Sequence, residues 1–419
     1  MKAETANQTT ISTIHQQLAA KTTFWSRCGE TASHRFSSLD SETLCAEARR
    51  RTGLEDFGDP GIEARLSVLT NSIEGEGELH PLGRLLAWTH LRDLLTTRLL
   101  LEDAWKKCPG FETEQIERPI FITGMPRSGS TFLHELLAQD ADNRAPLVWE
   151  VMSPLPTSAR RRIWHTAACL WCFRRIAPQA DSVHPIRATK PHECVAIHSY
   201  TMLSREFETT FRVPTYEAYL SAIDADPAYA WEKRFLQYLQ WQQPKRRWVL
   251  KAPDHMFNLE ALLRVFPDAS LVQTHRNPLE VLESSSRLTE VVQRTFARPQ
   301  DRRQIGLREA RVLADGMDRI TRFRERHPEL AERFVDVDYD ELVSDPLATV
   351  RRLYWELDLP LTRTTLERLQ ALAETRSRYR GSQQARPGLA ELGIDSGMKT
   401  RFASCCARLA SVRLDRRGA

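Results

Sequence analysis

Pro119-Ile-Phe-Ile-Thr123-Gly124-Met-Pro-Arg127-Ser-Gly129-Ser130-Thr131-Phe-Leu-His-Glu-Leu-Leu137 decides the fold. A short apolar, β-branched run passes through a glycine- and serine-rich turn into a helical stretch, so backbone N–H groups and the positive end of the helix dipole converge on one point. That is a phosphate cradle. Against the pattern GxxxxGK[ST], Gly124, Gly129 and Thr131 match, but Ser130 stands where the lysine belongs. Hydrolysis of a nucleoside triphosphate leans on that lysine and on Mg²⁺, so an ordinary P-loop NTPase is disfavoured. Arg127, inside the loop, supplies a planar and permanently charged fork suited to an oxyanion. A ligand-free Gly/Ser turn is the plain alternative.

Outward from this stretch, short strands alternate with helices, which predicts an α/β fold with a parallel sheet in three layers. Further strands are expected at Arg247-Trp-Val-Leu250, Ala269-Ser-Leu-Val-Gln-Thr274 and Arg333-Phe-Val-Asp-Val-Asp338, with helices over 258–265, from Pro278, and over 346–357. Residues 1–116 read as a helical region packed on this core, with leucines near a 3.6 period from Arg84 to Leu101 and no visible chemistry. Residues 117–375 form the α/β domain, and 376–419 an arginine-rich tail placed to close over a site. Ile163–Phe173, bracketed by Arg160, Arg161, Arg162, Arg174 and Arg175, is too short to span a bilayer. It is read as a buried helix, with an interfacial helix or pocket lid as alternatives.

Arg276 follows the third of these strands, and Ser284 lies eight residues on, in the helix that begins at Pro278. Ligands of parallel sheets sit at the carboxyl ends of the strands, which brings Arg276 to the same crevice as the loop. A surface arginine remains the alternative.

Together these segments resemble the cofactor-binding motifs of sulfotransferases, the broad group that includes tyrosylprotein and carbohydrate enzymes. Pro126-Arg-Ser-Gly-Ser-Thr-Phe-Leu133 is similar to the loop for the 5′-phosphosulfate, Arg276 and Ser284 to the pair that holds the 3′-phosphate, and Asp338-Tyr339-Asp-Glu-Leu-Val-Ser-Asp-Pro346 to the segment whose tyrosine approaches the adenine. The resemblance implies transfer of a sulfuryl group from 3′-phosphoadenosine 5′-phosphosulfate to a hydroxyl or amine, without a metal. Cofactor contacts are then expected from Arg127, Ser128, Gly129, Ser130, Thr131, Phe132, Arg276, Ser284 and Tyr339. A nucleotide with two separate anionic ends needs two anion sites, and a sulfuryl group carries less charge than a phosphoryl dianion, so positioned cations suffice.

The chemistry also needs a proton acceptor and a donor to the leaving group. The resemblance implies Lys251 for the leaving group and Glu150, in Val148-Trp-Glu150, for the base. His255 is the alternative base, four residues after Lys251 where related cytosolic enzymes have two. His192 and Glu193 form a further polar cluster with acceptor reach. A degenerate small-molecule kinase and a non-catalytic nucleotide-binding homologue are the competing readings.

The remaining bulk features exclude more than they assign. Lys and Arg total 59 against 55 Asp and Glu, a net +4 too weak to argue by itself for a nucleic-acid or membrane partner. Met1–Ala20 lacks a secretory signal, and no apolar run is long enough for a transmembrane segment, so a cytoplasmic location is expected. Of eight cysteines only Cys169-Leu-Trp-Cys172 has CxxC spacing, with no second half of a metal site. The acceptor, whether a small molecule, a carbohydrate or a lipid, is expected to lie among the residues between Glu150 and Trp248. Oligomeric state is not readable.

Overall fold

A computed structural model describes residues 39–243, 246–378 and 387–417. Five parallel strands, β1 (Ile120–Gly124), β2 (Asn143–Arg144), β3 (Arg247–Lys251), β4 (Ser270–His275) and β5 (Phe334–Asp338), lie in the order β2-β3-β1-β4-β5. All neighbours pair in parallel, with Ile122 opposite Lys251 on one side and Val272 on the other. The four strands expected from sequence are present. β2 was not expected, because two residues carry no periodicity.

Both faces of the sheet are buried, which explains why its strands read as continuous apolar runs. Successive side chains alternate between faces. Ile120, Ile122, Val249, Val272 and Val335 pack under α4 (Ser130–Leu137) and α11 (Pro346–Glu356). Phe121, Leu250 and Leu271 face the other way, into a second and larger core. That core continues without a break into α1 (Ser41–Thr52), α2 (Ile62–Glu76) and α3 (Pro81–Lys107) through Leu44, Leu66, Leu91 and Trp105. It also takes in α7 (Asp226–Trp241), α8 (Leu259–Val265) and α10 (Arg302–Arg326).

α3 starts where sequence chemistry dictates. Pro81 occupies the first turn and the His80 imidazole accepts from the Gly83 amide at 2.9 Å. Gly83 is needed there, since a Cβ would lie 1.6 Å from the Phe296 carbonyl oxygen.

One expectation changes. The apolar stretch near residue 170 is helical, as α6 (Ala159–Ile176) after the short α5 (Val148–Met152), but it is not buried: Trp164 is 74 % and Trp171 52 % exposed. Four-residue spacing alone does not reveal which side of a helix meets the core. In the tail, Arg378-Tyr-Arg-Gly381 falls mostly outside the described residues. Beyond it the helix α12 (Ser396–Arg417) lies along α10, held by Arg401 to Asp315 at 2.8 Å and Arg408 to Glu325 at 2.7 Å. Among the described residues no helix is long and apolar enough to cross a membrane, and no cluster of metal-ligating side chains occurs.

Candidate functional site

β1 ends at Gly124 with φ +118°, and a Cβ there would lie 2.3 Å from the Thr274 carbonyl oxygen. Only glycine lets β1 and β4 come this close at the mouth of the loop. The turn is then closed by hydroxyls. Ser128 Oγ meets Thr274 Oγ1 at 2.6 Å and also bonds to the Met125 carbonyl, while Thr274 Oγ1 donates to the Thr123 carbonyl at 3.1 Å. Ser128 is fully buried, so of the expected contacts its hydroxyl serves the loop itself.

Arg127 and Gly129 both take positive φ, +62° and +89°. Alternation of this kind turns successive N–H groups inward and forms an anion-binding hollow. The left-handed conformation costs a non-glycine residue about 1–2 kcal/mol. Arg276 offsets part of it by donating from Nη1 to the Arg127 carbonyl at 3.0 Å. Directly after Gly129, α4 begins with no side-chain cap, so the positive end of its dipole faces the hollow. Ser130 is buried and Thr131 exposed at that end, whereas Phe132 is half-buried and packs on the core beside the sheet.

The residues expected for a second anion lie against this loop. Arg276 leaves the end of β4, its guanidinium carbon 4.0 Å over the Tyr339 ring and its Nη2 2.8 Å from Glu280. Arg127 Nε donates to Ser284 Oγ at 3.1 Å, from α9 (Pro278–Gln293). A Cβ on Gly129 would come within 3.1 Å of Tyr339, so loop and tyrosine are in contact. Arg127, Arg276, Ser284 and Tyr339 are thus brought together. The ends of β4 and β5 are fixed by Asp336, which bonds to His275 and Arg324 at 2.7 Å each. Burial would raise the Asp336 carboxyl, but hydrogen bonds from His275 and Arg324 hold it well below the usual range.

On the other side of β1, Lys251 ends β3. It is 2 % exposed, donates to Thr131 Oγ1 at 3.2 Å and forms an ion pair with Glu193. Burial pushes the Glu193 carboxyl up, but the Lys251 charge, aided by His184 and by the hydrogen bond from Lys251, outweighs it and brings the pKa down to about 2. His192, its neighbour, is pushed down to about 4, chiefly by burial, and is neutral at pH 7.

The two expected bases lie elsewhere. Glu150 accepts from Arg144 at 2.8 Å and from the Leu147 amide at 2.9 Å, a capping arrangement that closes α5. His255 is fully buried, bonded through Nδ1 to the Tyr229 hydroxyl at 2.9 Å and packed edge-on against Phe121. Burial lowers its pKa well below normal. Neither side chain reaches the cavity described next.

From Arg127, Ser130, Thr131 and Lys251 a cavity of about 1050 Å³ extends between α3, α6, α9 and α10. Its walls are mainly apolar, with Leu94, Leu170, Phe173, Leu288 and Leu313 among them, and Glu193 and His192 stand at the loop end with Lys251. The helical prelude therefore takes part: Leu86, His90, Asp93 and Leu94 of α3 line the same space. Composition gave no sign of this, since a wall residue and a core residue are equally apolar.

Comparison with known proteins agrees with this architecture. The model of the sulfotransferase family matches residues 119–363. The omega-hydroxy-beta-dihydromenaquinone-9 sulfotransferase Stf3 of Mycobacterium tuberculosis, with an equal match in Mycobacterium bovis, is 29 % identical over 276 residues, 64 % of this chain and 70 % of the relative. Among solved structures, the sulfotransferase STF1 of Mycobacterium tuberculosis superposes with a TM-score of 0.74 at 30 % identity, covering 87 % of this chain and 98 % of that one. STF9 of Mycobacterium avium gives 0.77 at 27 %, covering 88 % and 96 %.

Proposed function

This chain belongs to the sulfotransferase family, and we propose that it moves a sulfuryl group from 3′-phosphoadenosine 5′-phosphosulfate to the hydroxyl of a lipid-like acceptor. The observation that carries this reading is the meeting of an uncapped, positively framed loop with a large apolar cavity at Lys251. The residues fit the nucleotide: the hollow at Arg127–Thr131 suits the 5′ end, and Arg276 with Ser284 suits a second phosphate. Stf3, named for a hydroxylated menaquinone, supports a long apolar acceptor.

The nucleotide supplies the sulfuryl group on a 5′-phosphate leaving group. Lys251, already bonded to Thr131 at the loop, donates to the bridging oxygen on which negative charge grows. As Lys251 turns to that oxygen it leaves Glu193, whose basicity rises once its counter-charge is gone. Glu193 then takes the proton of the acceptor hydroxyl. The acceptor O–S bond forms as the bridging S–O bond breaks, and the electron pair stays on the 5′-phosphate. We assign the base to Glu193 rather than to Glu150 or His255 because it alone of the three lines the cavity.

Transfer of radiolabelled sulfate to a long-chain terminal alcohol, compared with a phenol and a sugar, tests the reading. Lipid-alcohol labelling that falls roughly 10³-fold in Lys251→Ala, with affinity for adenosine 3′,5′-bisphosphate nearly unchanged, is expected. Preference for the sugar or the phenol would remove the acceptor assignment.

A further inference from the structure

The geometry points to the outer face of α6 as a surface that docks on an anionic lipid bilayer, with the cavity on the other side of the same helix. Over Ala159–Ile176 the helix carries five arginines, Arg160, Arg161, Arg162, Arg174 and Arg175, and no acidic residue. Trp164 and Trp171 stand two turns apart on its exposed side, about 10 Å along the axis, with exposed Ala167 between them and Ile176 beyond. Arg160 and Arg175 are exposed at the two ends of this stripe, and Arg161, also exposed, borders the cavity. Among the described residues none of these three has a carboxylate at ion-pair distance. Arg162 is different: it is buried over the Trp149 ring and bonded to the Ser153 carbonyl, so it anchors the helix.

An aromatic stripe framed by unneutralised arginines matches a bilayer interface, where tryptophan sits at the headgroup level and each nearby cation adds attraction to an anionic surface. A protein-facing helix would expose aromatics without needing arginine at both ends and a complete lack of acid. The opposite side of α6 contributes His165, Leu170 and Phe173 to the apolar cavity. One helix therefore separates the acceptor space from the surface at which a lipid would arrive. This inference rests on the lipid-acceptor reading above and adds where that acceptor is collected.

The full chain is mixed with sedimenting vesicles of phosphatidylcholine alone or with phosphatidylglycerol, at low and high salt. Binding to the phosphatidylglycerol vesicles, weakened by salt and lowered roughly tenfold or more in W164S/W171S, is expected. Arg160→Gln with Arg175→Gln should weaken it while leaving both tryptophans in place. Unchanged affinity for adenosine 3′,5′-bisphosphate shows that the variants are folded and tests the nucleotide site separately. Equal binding of wild type and W164S/W171S overturns the proposal, as does no binding to either vesicle. So does a wild-type dimer that W164S/W171S converts to monomer, which would make the face a contact between copies.

Discussion

The two ends of the site are built on opposite principles. The loop end, proposed for the 5′-phosphosulfate, is local: one strand, one turn and one helix over Ile120–Leu137, closed by Ser128 and Thr274 hydroxyls and propped by a single arginine. The acceptor end is assembled from α3, α6, α9 and α10, whose ranges span 81–326. A group that must be the same in every turnover meets mainly backbone N–H groups of one turn, whereas acceptor choice resides in side chains that neighbouring helices bring together.

The largest effect that would sharpen this contrast is expected at their junction. Glu193→Gln should lower kcat roughly 10²–10³-fold with little change in bisphosphate affinity, read by labelled-sulfate transfer beside nucleotide titration. Equal loss of nucleotide binding would place Glu193 at the local end instead. Arg276→Ala is expected to weaken bisphosphate binding by roughly ten- to a hundredfold, the scale of one hydrogen bond to a charged group, and to reduce kcat less. A purely catalytic defect would break the comparison.

Smaller effects concern stability. Glu150→Gln leaves the buried Arg144 without its counter-charge, and loss of one partner of such a pair costs about 3 kcal/mol. Its melting temperature should fall while turnover per folded molecule holds. A collapse of kcat without destabilisation would return the base to Glu150. Asp254, at the cavity wall, is raised by burial to about 7 from a usual 3.8, against the pull of Arg205. Its folded form holds the proton more tightly, so the stability cost appears as pH rises above about 4 and is complete beyond 7. Asp254→Asn should therefore raise the melting temperature by a few degrees at pH 8 and change it little at pH 4.

Legibility in the sequence follows the same division. The loop, Lys251, Arg276 and Tyr339 each sit at the end of a strand that its own composition announces, so their common crevice is a consequence of parallel topology. Glu193 shows no comparable signal, because its partner Lys251 is far along the chain and only the fold joins them. Glu150 has the setting of a base, but its carboxylate is drawn back to Arg144 and Leu147 within its own turn. For α6 the sequence supplied the arginines and tryptophans but not their orientation, which depends on what packs behind Leu170.

The bond from Arg276 to the Arg127 carbonyl joins the loop and the residues proposed for a second phosphate in one structural lever. If that guanidinium shifts toward an outer phosphate, it alters the support under the turn that holds the inner one. Occupancy at either end is then felt at the other, and a fragment carrying only one of the two charges meets a receptor shaped for both.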